Sequence, residues 1–260
     1  TGRNFYGLDP RCMPTPAAWE YGKQLGDALI EQYINDEGRY PEAVGIVFWA
    51  GSNMRSHGQC IAELFYLMGV RPVWRRPSQR VCGLQRPRID VTARISGLFR
   101  DAVPNAIRWV DQAVRMVRDL EESDEENYVR KHVLSDTAWL KEQGETQESA
   151  WERASVRIFG DPPGVYGAGV ADQLESKAWE TLDDLAAVYT RFSGTAYGGD
   201  GMARAYDPEV FRRRMAGLDV TVKNEDTRET HMFSSDDYNA YHGGMIATVR
   251  ALTGKAPRSY

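Results

Sequence analysis

Ala43-Val-Gly-Ile-Val-Phe-Trp-Ala50 is a short, continuous apolar run, and it predicts a strand buried on both faces of a sheet. Such a strand needs helical layers around it, and the flanking sequence supplies them. Thr15-Pro16 opens a helix that carries Trp19, Leu25, Leu29 and Tyr33. Gly51-Ser-Asn-Met follows the run and leads into a helix with Ile61, Leu64, Phe65 and Met68, closed by Gly69. Val70 to Trp74 reads as a second strand. Arg88-Ile-Asp-Val-Thr-Ala-Arg-Ile95 reads as a third, nearer an edge because it alternates in part. Residues 101–121 form a further helix on Ile107, Val110, Val114 and Val117. Residues 1–121 are therefore expected to be an α/β, Rossmann-like part with an open, mainly parallel sheet. Ligands of such sheets sit beyond the carboxyl ends of the strands, which places Gly51–His57 and Ser96–Arg100 on the functional edge.

From Glu122 the pattern turns mainly helical, with helices expected near 127–143, 146–158, 182–192 and 208–218. A last helix runs from a Ser234 or Ser235 cap to Leu252, with Gly254 past its end. Residues 122–260 are expected to pack against the first part as one body and to carry the candidate site. The net charge of −5 argues against nucleic acid or an anionic membrane as partner. Cys12, Cys60 and Cys82 are scattered and odd in number, which suits a reducing compartment better than a disulfide framework. No apolar run approaches the roughly 20 residues of a membrane span. The chain opens without an initiator Met and is expected to be a piece of a longer cytoplasmic protein.

The chemistry is concentrated near the end. Glu225, Asp226, Glu229, Asp236 and Asp237 stand close in sequence to His231 and His242. Ser234-x-x-Asp237 fits a helix cap, which is the structural reading of Asp237. Asp237 and His242 are five residues apart, so a regular helix does not aim both at one ion. Gly243-Gly244 within the helix costs roughly 1 kcal/mol per glycine against alanine, a cost that suggests close approach by a flat ligand or another backbone. Asn224, Asp226, Arg228 and Glu229 follow the short strand Val220-Thr-Val, either as a solvated polar loop or as a compact set of acceptor, donor and base. Gly164-x-x-Gly167-x-Gly169 lacks the order of a dinucleotide site. It is expected instead to let backbone N–H groups and Tyr166 approach a ligand, with Arg157 nearby for a carboxylate. Neither a Walker A sequence nor a Gly-x-Ser-x-Gly elbow occurs.

Several blocks carry a resemblance, in order, across nearly the whole chain. They are Pro14-Thr-Pro-Ala-Ala-Trp-Glu, Gly69-Val-Arg-Pro-Val-Trp74, Arg86-Pro-Arg-Ile-Asp-Val-Thr-Ala-Arg-Ile-Ser-Gly-Leu-Phe-Arg-Asp101, Asn127-Tyr-Val-Arg-Lys-His132, and Arg157-Ile-Phe-Gly-Asp-Pro-Pro-Gly-Val-Tyr-Gly-Ala-Gly169. Leu218–His231 and Ser235-Asp-Asp-Tyr-Asn-Ala-Tyr-His-Gly-Gly complete the set. Together they resemble the large subunit of the CobN/magnesium chelatase family, and His242 makes the cobalt branch the nearer one. The connection after Arg80-Val-Cys-Gly-Leu84 is shorter than family members usually carry.

The resemblance implies a ligase subunit that binds a tetrapyrrole and hosts metal insertion. Co²⁺ is the implied substrate metal and a corrin precursor in cobalamin biosynthesis, hydrogenobyrinic acid a,c-diamide, the implied acceptor. ATP would be used by separate AAA+ partner subunits and not bound by this chain. Alternatives within the resemblance are Mg²⁺ insertion into protoporphyrin IX, a relative that removes metal from haem, and a non-catalytic module that binds tetrapyrrole or docks the ATPase. On this basis His242, Glu229 and Asp226 are the expected catalytic residues, with His242 and Asp237 as metal ligands. Arg157, Tyr166, Gly167, Arg228, Gly243 and Gly244 are the expected substrate contacts.

Overall fold

A computed structural model describes residues 9–74, 78–199, 202–225, 231 and 234–260. After a 3-10 turn at Pro10–Cys12 come α1 (Pro16–Glu37), β1 (Ala43–Phe48), α2 (Ala50–Arg55), α3 (Gln59–Met68), β2 (Val70–Val73), β3 (Ser78–Val81) and β4 (Asp90–Ile95). Then follow α4 (Gly97–Ala102), α5 (Pro104–Arg118), α6 (Tyr128–Glu142), α7 (Gln147–Ala154), β5 (Ile158–Gly160), α8 (Val170–Ser176) and α9 (Leu182–Ser193). The last elements are β6 (Thr195–Gly198), β7 (Met202–Tyr206), α10 (Pro208–Ala216), β8 (Val220–Val222), α11 (Asp236–Tyr238), a π turn at Asn239–Gly243, α12 (Gly244–Thr253) and β9 (Arg258–Ser259).

Seven strands form one sheet in the order β7-β6-β5-β4-β1-β8-β9. The five strands from β5 to β9 are parallel, while β6 and β7 add an antiparallel edge. All six residues of β1 are buried, as its apolar run requires, and Val44 pairs with Val91 on one side and Val220 on the other. One core packs α1, α3 and α5 against the sheet through Leu29, Leu64, Phe65 and Val110. The other packs α6, α7, α9, α10 and α12 through Val133, Ala150, Tyr189, Phe211 and Met245. The α/β class and the mainly parallel sheet are as expected. None of the helices among the described residues is long and apolar enough to cross a membrane.

Residues 122–260 are mainly helical, as expected, and their short strands β5 to β9 join the same sheet as β1 and β4. Two local expectations are corrected. Val70–Val73 is not in that sheet but forms a separate antiparallel hairpin with β3. The segment expected near an edge, β4, lies between β1 and β5 with every residue buried. Its polar members mimic a solvated face because Asp90 and Arg94 are ion-paired inside the protein, to Arg157 and Asp161.

The topology makes a switch point at the carboxyl edge of the sheet, the place where open α/β sheets form their crevice. From β1 the chain crosses by way of α3 on one face to β4, whereas from β8 it crosses by way of α12 on the other face to β9. The loops leaving the adjacent carboxyl ends of β1 and β8 therefore diverge, which is the switch point where open α/β sheets take ligands.

Candidate active site

Trp49 and Asn53 follow β1 into this crevice, and Lys223, Asn224 and Glu225 follow β8. Lys223 lies on the α12 side, its side chain 2% exposed, with Nζ donating to Glu225 Oε2 at 2.9 Å. The ammonium stands 4.8 Å from the Tyr238 ring centroid and 5.8 Å from that of Trp49. Trp49 meets Tyr241 edge to face at 5.1 Å. A buried cation is thus held by one carboxylate and aromatic faces. The final helix begins at the same edge, where Ser235 caps it by accepting the Tyr238 N–H at 3.2 Å. Asp237 is exposed there. Partial desolvation of its carboxyl raises the pKa, against a downward pull from Lys223 and with help from Asp236 and Glu225.

On the α3 side, Asn224 Nδ2 donates to Glu63 Oε2 at 2.8 Å and approaches Cys60 Sγ at 3.3 Å. Glu63 is 1% exposed, and burial pushes its carboxyl up to about 7 against the stabilising Asn224 bond. Burial likewise pushes the Cys60 thiol up to about 12, so Cys60 is a protonated, inert thiol at neutral pH. Glu63 was not among the residues singled out from sequence. A signal was present: it is the one charged residue in Gln59–Met68, within a helix otherwise apolar enough to be buried.

Farther along the edge, Asp161 follows β5 and forms a fully buried ion pair with Arg94, Nη1 to Oδ1 2.6 Å. Its other oxygen accepts the Gly97 N–H at 2.8 Å, the Gly167 N–H at 3.1 Å and the Tyr241 hydroxyl at 3.2 Å. One carboxylate therefore ties the start of α4, the glycine-rich loop and the final helix together. Arg94 stacks 4.4 Å from the Tyr241 ring centroid. Arg100 donates to the carbonyls of Pro162 at 2.7 Å and Val165 at 3.3 Å, clamping the same loop.

The residues expected from sequence separate into groups. Tyr166 and Gly167 are at this edge: Tyr166 is 63% exposed with its hydroxyl donating to Asp101 Oδ2 at 2.6 Å. Gly167 has φ +114° with open space where a side chain would start. Gly243 also faces open space, but Gly244 does not. A Cβ at 244 would lie 2.5 Å from Tyr189 Cδ2, so that glycine serves close packing of α12 on α9.

His242 does not reach the crevice surface. It is fully buried over β8, with Nε2 3.2 Å from Thr221 Oγ1 and 3.4 Å from Ser259 Oγ. Burial, with a smaller contribution from Lys223, lowers its pKa to about 4 and keeps it neutral. The π turn contains His242, and Tyr238 packs edge to face on it at 5.0 Å. No group of three or more His, Cys, Asp and Glu residues is placed to hold a metal among the described residues.

Arg157, expected to hold a substrate carboxylate, is instead committed inside the protein. Its Nε donates to Asp90 Oδ1 at 2.6 Å at the amino end of β4, opposite to the crevice. Burial would raise the Asp90 pKa, but Arg157, His132 and Arg214 around it hold it far below the ordinary carboxylate range. Asp226, Arg228 and Glu229 lie outside the described residues.

Comparison with known proteins adds the lineage. The profile of the family CobN/Magnesium Chelatase matches residues 1–260. An uncharacterized protein of Methanocaldococcus jannaschii is 46% identical over 268 residues, covering 100% of this chain and 22% of its own length. The aerobic cobaltochelatase subunit CobN of Pseudomonas aeruginosa is 42% identical over 270 residues, covering 100% of this chain and 21% of its own. The solved catalytic subunit of cobaltochelatase from Mycobacterium tuberculosis superposes with a TM-score of 0.92 at 47% identity, over 100% of this chain and 22% of that one. The chain thus spans about a fifth of the length of these relatives.

Proposed function

The chain belongs to the CobN/magnesium chelatase family, and from that premise we propose that it forms the proton-handling part of a cobaltochelatase large subunit. Its substrates are Co²⁺ and a corrin precursor such as hydrogenobyrinic acid a,c-diamide, in the cytoplasmic route to cobalamin. ATP is consumed by AAA+ partner subunits, in keeping with the lack of a Walker A sequence here. Cobalt is favoured over magnesium because cobaltochelatase CobN subunits match this chain at 41% and 42% identity, against 28% to 32% for magnesium-chelatase subunits.

The observation that carries this reading is the switch-point crevice between β1 and β8, which gathers titratable groups at one edge of the sheet. Metal insertion must remove two pyrrole protons and exchange water on a divalent ion for ring nitrogens. Asp237, exposed and with a raised pKa, is suited to take a proton and to hold a partly hydrated cation. Asp226 and Glu229, between Glu225 and Ser234 in sequence, are further bases, with Arg228 for an acidic ring substituent. Lys223 supplies buried positive charge beneath an anionic ligand. Tyr166, Gly167 and Gly243 offer an aromatic face and two positions where a flat ring meets no side chain. His242 acts from behind this surface as a neutral group holding Tyr238 and Thr221 in place.

The test is cobalt insertion by the full-length subunit with its ATPase partners. Asp237→Asn and Glu229→Gln should each lower kcat by about tenfold or more, since a positioned base contributes at least that much. Corrin should be preferred to protoporphyrin, and Co²⁺ to Mg²⁺. Tight tetrapyrrole binding with insertion unchanged by both substitutions would reduce this part of the subunit to a holding module.

A further inference from the structure

We propose that Glu63 is a positioning residue, which holds the Asn224 amide so that Asn224 Oδ1 faces the crevice as an acceptor for the N–H groups of a tetrapyrrole. The inference rests on the reading above and goes on to one acceptor in that site.

Asn224 is the second residue after β8 and is half-buried at the switch point. Its Nδ2 faces α3, where Glu63 Oε2 accepts at 2.8 Å and Cys60 Sγ lies at 3.3 Å. Both contacts are acceptors, because the Cys60 thiol is a weak one and an ionised carboxyl can do nothing else. A planar carboxamide with its nitrogen turned inward must turn its oxygen outward, away from α3. A neutral amide at position 63 could serve Asn224 without burying an acid, yet it could also donate, so it would allow either orientation. Only the carboxylate enforces one. That accounts for a costly group at a position that packing alone would fill with an apolar side chain.

The charged groups around the pair leave Glu63 as the titrating member. On α1, Gly22 backs onto Ala62 and Glu63, and the neighbouring Lys23 and Glu20 pair with each other at 2.5 Å. Asp27 accepts from Tyr66 at 2.5 Å. Just after β8, Lys223 is paired with Glu225. On α2, the group facing Cys60 is the uncharged Asn53. Protonation of Glu63, at a pH of about 7, creates a donor that favours the opposite Asn224 orientation and withdraws the acceptor from the crevice.

The experiment uses the full-length subunit with its ATPase partners. Insertion rate is followed against pH, tetrapyrrole affinity by fluorescence quenching, and folding by thermal unfolding. Wild type should lose rate below a pH near 7. In Glu63→Gln that acid limb should flatten or move by at least one pH unit, with affinity at pH 8 weakened several-fold. Asn224→Asp sets two carboxyls face to face and should lower affinity at pH 8 at least tenfold. Glu63→Gln with Asn224→Asp reverses donor and acceptor and should recover most of that loss. A wild-type pH profile in Glu63→Gln, or no recovery in the folded double variant, overturns the inference while tetrapyrrole binding still stands. Absence of tetrapyrrole binding in the wild type overturns the proposed function and this inference together.

Discussion

Alanine at Gly243 and alanine at Gly244 should move stability in opposite directions, although the two residues are adjacent and both helical. At 243 the backbone has φ −59° and a new Cβ meets nothing within 4 Å. That substitution gains helix propensity, roughly 0.5–1 kcal/mol. At 244 the Cβ would sit 2.5 and 2.8 Å from Cδ2 and Cε2 of Tyr189 and 3.2 Å from Val170 Cγ2. Tyr189 has little room to yield. It is fully buried, its hydroxyl donates to the Tyr241 carbonyl at 2.9 Å, and Phe211 tilts against its ring at 6.0 Å. Overpacking of this kind costs about 1–3 kcal/mol. The propensity gain is common to both variants, so the difference between them isolates the overpacking, about 1–3 kcal/mol in favour of Gly243→Ala. Urea denaturation of the two variants, followed by circular dichroism, measures that difference. Equal midpoints, or Gly243→Ala as the weaker protein, would refute the packing argument and reopen ligand contact as the reason for Gly244.

Asp161→Asn leaves Arg94 buried without its counter-charge and turns an amide group toward N–H donors, so it should cost about 3–5 kcal/mol by denaturant titration. Glu63 has a folded pKa raised from 4.5 to about 7, so wild type should lose stability relative to Glu63→Gln as pH rises through that window. The loss should reach about 3 kcal/mol at most by pH 8, read from denaturation at pH 5 and pH 8. His242 behaves oppositely, because its pKa falls from 6.5 to about 4; its contribution is intact above 6.5 and is lost as pH falls through 4. Wild type should therefore show a steeper acid loss between those values than His242→Gln in the same titrations.

The α/β class followed directly from one local pattern, the apolar run of β1, because a strand buried on both faces announces itself within eight residues. Helices α6, α9 and α10 were likewise legible from spacing. What failed was whatever depends on a distant partner. β4 looked half-solvated because Asp90 and Arg94 find their counter-charges at Arg157 and Asp161, which no local pattern connects to them. β5 is only three residues, too short for a periodic signal of its own, whereas the equally short β8 is legible in Val220-Thr-Val. The position of Tyr166 and Gly167 at the strand ends was legible because a glycine-rich loop marks such ends, and their contact with a ligand is part of the proposal. Arg157 was misjudged because a buried structural arginine and a ligand-binding one have the same sequence context. Glu63 and Asn224 are 161 residues apart, so their pairing is a property of the fold alone, though a lone acid in an apolar helix was visible.

Amide hydrogen exchange on the intact subunit, with and without its macrocyclic substrate, bears most directly on where the chemistry resides. Slowed exchange should appear at 49–53, 223–225 and 235–243, which border the gap between β1 and β8, and at 97–100, which follows β4 along the same edge. Slowing confined to the opposite end, around Asp90, Arg157 and Arg214, with those four segments unchanged, would contradict the account.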